Sequence, residues 1–538
     1  MTPYVYFLLL ALPGLPLAAG LIARGHQPVL AGRLVRWSAM SALGLAVLAG
    51  VLLFLHGPQT ARWAPFGEDA AFAFALRLDA VSALMVTLVT LLGAVVLRFS
   101  QPYLAGDPHQ ARFLSWMSLT LGSVVVLVLS GHLLLLLAAG IATSLCLHRL
   151  LLHYPERPGA VFSARKKFVV SRLGDACLLG AALILHAHHH TFDLESIFAG
   201  VVNGRTEGAA AAGLLLAGCA MLKSAQFPFH SWLPDTMETP TPVSAFMHAG
   251  IINAGGFLVV RLAPIFAHAP QASHLLAVVG ALTAAFGAIV MLAQPSVKRA
   301  LAYSTIAQMG FMILQCGLGA YGLALLHIAA HSLYKAHAFL TAGSTIGAIP
   351  RAAVPLRTPA LTVGVLVGGL LVALGATAAH VFAPMMPTPP RVFGVVLALA
   401  VAYGIARAWS SGGGTRTIVR SLIAGAAITV LSLSLHAIAS SLFADLPVIH
   451  TPTFLLVAVG MIFAGLFLFQ SLLWRTNQHP VGRRLYVHAL NGFYIGTVFN
   501  RILSRLWPRQ STPAPFPAQQ TACTTSLHVH HEVPLKAD

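Results

Sequence analysis

AAAAGLLLAGCAMLKSAQFPFHSWLPDTMETPTPVSAFMH, residues 209–248, runs from an uninterrupted apolar stretch through a single lysine into four prolines and two acids, then back into apolar residues. An apolar run near twenty residues matches a hydrocarbon core of about 30 Å. In lipid every backbone polar group must be satisfied within the protein, which favours helices for runs of this length. The pattern predicts a membrane helix over 209–230 that breaks near its end, because proline removes a backbone donor. The chain then re-enters over 243–262. Pro228, Pro234, Pro240 and Pro242 mark the break. Asp235 and Glu238 could guard a proton entrance, but capping of helix ends is the expected role for both.

Comparable runs extend in both directions, at 3–22, 36–55, 78–98, 113–130, 133–152 and 168–186 before this stretch. After it come 275–293, 300–317, 321–347, 360–382, 392–408, 418–441 and 453–474. The expected architecture is an all-α polytopic membrane protein with about 14–15 transmembrane helices. Composition agrees: 57% of the 538 residues are hydrophobic and 9% charged, against about 25% charged in a soluble domain. The net charge of +18 sits in short loops between apolar runs. That is a pattern of membrane orientation, so lipid is an expected partner and nucleic acid is not.

With the N-terminus outside, inside loops collect Arg24, Arg33, Arg36, Arg98, Arg112, Arg149, Arg157, Arg165, Lys166, Lys167, Arg172, Lys298 and Arg299. Outside loops hold Arg62, Arg77, Arg205, Arg261 and Arg391, and the C-terminal tail falls inside. The first run lacks a basic leader and reads as a retained helix. The domain layout is 1–112, N-terminal helices; 113–350, core helices; 351–475, C-terminal helices; 476–507, an amphipathic interface segment; and 508–538, a disordered tail.

The cysteines are scattered without metal-ligand spacing, and Gly412, Gly413 and Gly414 open no phosphate-binding loop. No cofactor or metal is expected on this chain. His186, His188, His189 and His190, and the tail residues His528, His530 and His531, lack a second ligand cluster. Chemistry is expected instead from ionisable groups inside spans, where burial is costly. Lys223 and Lys335 are the two lysines placed well within apolar runs. His327, His331 and Lys335 follow at four-residue steps, which puts them on one helix face about 6 Å apart along the axis. Histidine titrates nearest neutrality, so this stripe reads as a proton relay, with His248 as a neighbour. Asp175 sits three residues after Arg172 and could pair with it locally, or with Lys223.

Lys223-Ser224-Ala225-Gln226 with the following HSWLPDTMETPTPVSAFMHAG resembles the antiporter-like subunits of respiratory complex I and Mrp antiporters. FVVSRLGD (168–175), SVKRALAYSTIAQMGFM (296–312) and HIAAHSLYKAHAFLTAGS (327–344) extend the resemblance over roughly residues 113–350. It implies two inverted five-helix repeats with broken helices and proton movement along a buried charged axis. On that axis Lys223 would be the central lysine, His248 its neighbour, and His327, His331 and Lys335 the relay.

Two departures stand out. The stretch 133–150 has no acid where the family carries a glutamate, Ile141 standing near its place, and no lysine occurs from 336 to 535. Asp175 is a candidate substitute for the missing acid. Within the superfamily, MHAGIINAGGFL (247–258) and LYVHALNGFYIGTVFNRI (485–502) are most similar to the DabB family, the membrane subunits of an inorganic-carbon accumulation system. A complex I subunit of this type normally continues into a long lateral helix, for which this chain is short.

The resemblance implies a multi-pass protein of a bacterial inner (plasma) membrane with a cytoplasmic C-terminus. It also implies a soluble zinc partner resembling DabA and a β-carbonic anhydrase. Ion flow through the membrane subunit would drive CO2 hydration there, the zinc and the enzyme chemistry belonging to the partner. A proton-pumping subunit of a complex I or hydrogenase-type complex, an Mrp-type cation/proton antiporter, and a non-conducting membrane anchor are the competing readings.

Overall fold

The computed structural model describes residues 3–63, 73–345, 356–382, 391–412, 414–476 and 480–507. The expected disordered tail, with His528, His530 and His531, lies outside the described residues. The apolar runs all become helices. The N-terminal part holds α1 (Pro3–Ala23), α2 (Pro28–His56), α3 (Ala80–Tyr103), α4 (Gln110–Leu129), α5 (Leu133–Leu151), α6 (Pro158–His189) and α7 (Leu194–Val202). The broken region follows as α8 (Ala209–Lys223), α9 (Trp232–Asp235), α10 (Thr241–Ala249), α11 (Ala254–Arg261) and α12 (Ala263–Ala267). Then come α13 (Pro270–Ala293), α14 (Val297–Gly317), α15 (Tyr321–Leu340), α16 (Thr358–Phe382), α17 (Arg391–Ser410), α18 (Gly414–Leu442) and α19 (Thr453–Thr476). The last two are α20 (Pro480–Leu490) and α21 (Ile495–Leu506).

Among the described residues, twelve spans are long and apolar enough to cross a membrane, the α10–α11 stretch counting as one. Three further expected spans, α8, α14 and α15, fall short of that measure. α8 has only 15 residues, α14 carries Gln308 and Gln315 along with Tyr303, Ser304 and Thr305, and α15 carries His327, His331 and Lys335. The protein is therefore an all-α multi-pass membrane protein with one small exception: strands β1 (Gln59–Trp63) and β2 (Phe74–Leu78) pair antiparallel between α2 and α3.

Small residues set the closest helix approach. A methyl group at Gly280 of α13 would lie 2.4 Å from the Leu314 amide, and one at Gly310 of α14 would lie 2.4 Å from that of Ala284. Without side chains there the two backbones pack directly, the usual means of joining helices in lipid.

Two placements correct the sequence reading. Helix α6 begins at Pro158 rather than 168, with proline pre-set for its first turn. Lys166 and Lys167 therefore ride on a helix and are buried rather than standing in an inside loop. Arg261, expected in an outside loop, is also buried. Its Nη1 donates to Asp79 Oδ2 at 2.6 Å and its Nη2 to the Val128 carbonyl at 3.3 Å. Asp79 in turn caps α3 in a reciprocal capping box with Ser82.

The chain through Gly496 forms one compact unit, and residues from Thr497 form a second. The expected single amphipathic segment is two helices, parted where Phe493 and Tyr494 take positive φ of 51° and 61°. Within the first unit the Gln294 side-chain amide donates to the Leu490 carbonyl at 3.1 Å, tying α20 to the end of α13.

Candidate functional site

Helix α8 ends at Lys223, and Ala225 turns out of it with φ of 48°. The break expected from the prolines is thus present, with short helical pieces between residues 229 and 238. A second break was not expected: the eighth span is itself parted at Ile251–Asn253, between α10 and α11. The two breaks meet at Ser224. Its hydroxyl donates to the Ile252 carbonyl at 2.7 Å and accepts from the Gly255 amide at 3.1 Å. One side chain thereby satisfies two backbone groups that the interruption releases inside the protein, as irregular backbone at membrane depth requires. Gly255 must lack a side chain, because a methyl there would lie 2.3 Å from the Ala220 carbonyl.

Lys223 and Asp175 come together. The Lys223 ammonium donates to Asp175 Oδ1 at 2.5 Å, and Arg172 Nη2 lies 2.7 Å from Oδ2. Both partners weighed for Asp175 from sequence are engaged at once. Lys167, about two turns before Asp175 on α6, is buried and donates to the carbonyl and hydroxyl of Ser144 on α5 at 3.0 and 2.9 Å. Lys166 is buried too, and its ammonium bonds Asp235 Oδ2 at 2.7 Å and the Ser231 carbonyl at 3.2 Å. Asp235 therefore holds a lysine rather than capping a helix. Glu238 makes no capping bond either; its carbonyl accepts from Arg157 at 3.4 Å.

The sequence reading missed Lys166 and Lys167, although a signal was present. Lys167, Ser171 and Asp175 stand at the same four-residue steps as the histidine stripe.

The second cluster joins α10, α14 and α15. His327 and His331 lie with ring centroids 6.0 Å apart, and Lys335 follows along the same face, fully buried. Among the described residues no carboxylate pairs with Lys335, whose ammonium donates to the Leu301 carbonyl at 3.2 Å. That carbonyl also accepts from the Thr305 hydroxyl at 3.0 Å. When that hydrogen is so used, Thr305 Oγ1 accepts from His248 Nδ1 at 3.1 Å. This bond fixes the tautomer, so that neutral His248 presents a bare Nε2 lone pair, buried and without a partner.

His331 Nε2 faces the His248 carbonyl at 3.1 Å, which can only accept, so that nitrogen carries hydrogen. Its Nδ1 meets Gln308 Oε1 at 2.5 Å. Two acceptors on one ring describe an imidazolium; the neutral ring requires the Gln308 amide turned to present its NH2. Protonation of His331 is thereby coupled to the orientation of one amide. His327 Nδ1 is likewise set against Gln315 Oε1 at 3.0 Å.

Asn253 ties the second break to α15. From the second break its amide donates to Ser332 Oγ on α15 at 2.9 Å and to the Ala249 carbonyl at 2.8 Å. The arrangement sets titratable groups in file on α15, each with a polar partner, next to a helix that is itself broken. His186 stacks on Phe192 with ring centroids 4.1 Å apart. No group of three or more metal-ligating side chains is drawn together among the described residues.

Comparison with known proteins sets this geometry in a family. Residues 130–353 match the family described as NADH:quinone oxidoreductase/Mrp antiporter, TM, and residues 63–114 match the N-terminus of chain 5 of complex I. The chain is 38% identical over 537 residues to the "Probable inorganic carbon transporter subunit DabB2" of Halothiobacillus neapolitanus, covering 94% of this chain and 95% of that one. It is 42% identical over 317 residues to the "Probable inorganic carbon transporter subunit DabB" of Hydrogenovibrio crunogenus, covering 58% and 60%. Identity to the NADH-quinone oxidoreductase subunit L of Mycobacterium tuberculosis is 36% over 354 residues, 64% of this chain and 56% of that one.

Two solved structures share the fold. The Mrp complex from Dietzia sp. aligns with a TM-score of 0.57 at 23% identity, over 93% of this chain and 56% of that one. The archaeal membrane-bound sulfane sulfur reductase aligns with a TM-score of 0.58 at 15% identity, over 93% and 99%. With one relative matched along nearly its full length at 38% identity, the chain belongs to the DabB family of inorganic carbon transporter subunits, within the complex I/Mrp antiporter-like membrane proteins.

Proposed function

We propose that this chain conducts cations, protons in the first instance, and that the flow energises inorganic-carbon uptake by a partner subunit. The observation that carries the reading is the Lys223–Asp175 ion pair at the end of broken helix α8. Ser224, next to Lys223, holds the second break, and Asn253 in that break bonds Ser332 on α15, the helix that carries His327, His331 and Lys335. An ion pair able to open and close can load and release a proton, and His248 Nε2 in the second cluster offers a further acceptor. Each proton moved through 100 mV yields about 2.3 kcal/mol, available to chemistry elsewhere in the complex.

The names of the relatives point to inorganic carbon as the cargo. On this reading the partner is a soluble zinc protein of DabA type on the cytoplasmic face, and the enzyme chemistry and zinc are its own. The chain lies in a bacterial inner membrane with its N-terminus outside and its C-terminus cytoplasmic, as the arginine distribution suggests.

The test is co-expression with a candidate partner in a host that grows only at high CO2. Growth in air should appear, and should vanish with an uncoupler or with Lys223→Ala while the two proteins still co-purify. Growth that survives both treatments means a non-conducting anchor. Sodium-dependent proton exchange in vesicles from this chain without the partner means an antiporter.

A further inference from the structure

Between α5, α6, α8 and α11 lies a cavity of about 60 Å3 whose polar lining is rich in hydrogen-bond donors. Lys167 and Lys223 both line it, with the hydroxyl residues Thr143, Ser144 and Ser171 and the indole of Trp232. No carboxylate is among the lining residues. The one acid close by, Asp175, is already engaged by Lys223 and Arg172. Among the described residues Lys167 donates to the Ser144 carbonyl and hydroxyl. Two further polar atoms at the wall are buried without any partner: Trp232 Nε1, which can only donate, and Thr143 Oγ1. Trp232 is 5% exposed and Thr143 6%.

A pocket with one buried lysine that no carboxylate contacts among the described residues, a second lysine shared with a crowded carboxylate, and an unused indole donor suits an acceptor that carries negative charge. We propose that this cavity binds a small monovalent anion, held by the Lys167 and Lys223 ammoniums with the Trp232 indole and the Thr143 hydroxyl. A single water needs at least about 10–15 Å3 measured in the same way, so the cavity admits an anion of a few heavy atoms. Chloride, formate and bicarbonate are of that size; gluconate is not. The site borders α5 at Thr143 and Ser144, in the stretch that carries no acid of its own. A bound anion would supply negative charge next to Lys223. The site rests on the lining alone and does not depend on the proton-conducting reading.

The experiment is equilibrium binding of radiolabelled chloride to the purified full-length chain, with its partner where the two co-purify, in gluconate buffer at fixed ionic strength. The expected result is saturable binding that unlabelled formate and bicarbonate displace and gluconate does not. Differential displacement shows whether the site prefers the halide or the planar oxyanion. Lys167→Met should weaken binding at least tenfold, and Lys167→Arg should retain most of it. Absence of saturable binding in the natural protein, or undiminished binding in Lys167→Met, overturns the proposal and leaves a water-filled cavity. If Lys167→Met does not fold, Thr143→Val decides, because it keeps the volume and removes one donor. It should weaken binding several-fold, and unchanged affinity would equally overturn the site. Loss of proton conduction elsewhere in the chain would not move these readings.

Discussion

Asp175→Asn is the most informative single substitution, because it keeps the size of the side chain and removes only the charge that two cations share. Lys223 and Arg172 lie 2.5 and 2.7 Å from the two carboxylate oxygens. At an effective dielectric of 20, unit charges 4 Å apart attract by about 4 kcal/mol, and desolvation offsets part of that. Measured losses on removing one partner of a buried pair run at about 3–5 kcal/mol. The Lys223 side chain is 17% exposed, so solvent screening favours the lower end. A loss of about 3 kcal/mol, if it falls on the proton-loading step, corresponds to a rate reduction of about 150-fold.

The assay is proton flux into proteoliposomes holding the chain, followed with an internal pH-sensitive dye under an imposed potential. Asp175→Asn, Lys223→Ala and the double variant complete a cycle. If the pair acts as a unit, the double variant should be no worse than Lys223→Ala. Flux in Asp175→Asn near that of the natural protein, with Lys223→Ala silent, would refute the role given to the carboxylate. The lysine would then work through another partner, Lys167 or an anion beside it.

Ser224→Ala strands the Ile252 carbonyl and the Gly255 amide; an unfolding midpoint in detergent should fall by the equivalent of about 1–3 kcal/mol, and an unchanged midpoint would show that something else holds the two breaks. Gln308→Leu removes the partner of His331 Nδ1 and should slow proton flux on the order of tenfold or more while the protein still assembles. Flux equal to that of the natural protein would place His331 off the path. Asp79→Asn leaves the buried Arg261 and its neighbour Arg77 without a counter-charge and should cost about 3 kcal/mol. Adding Arg261→Met should recover much of that in a denaturation series, and no recovery would argue that Asp79 acts mainly as the α3 cap.

The amino-acid sequence determined the solvent of this protein and the outline of its fold. Helical runs of membrane length follow from hydropathy alone, since lipid gives backbone groups no alternative partner. Proline near 228–242 announced the first break, and the four-residue steps of His327, His331 and Lys335 were enough to put them on a shared face. Helix periodicity is local, and local patterns survive in sequence.

Only the tertiary structure decided the partners. Asp175 is 48 residues from Lys223, and Asp79 is 182 from Arg261; nothing in either neighbourhood names the other. Hydropathy put Lys166 and Lys167 in a loop because charge lowers the average. Pairing with Asp235 and Ser144 lets the helix begin earlier and carry both inside. The break at Ile251–Asn253 had no proline to mark it, and it persists because Ser224, from another helix, satisfies the backbone it frees. Where a group's stability depends on what another segment supplies, the sequence of its own segment does not contain the answer.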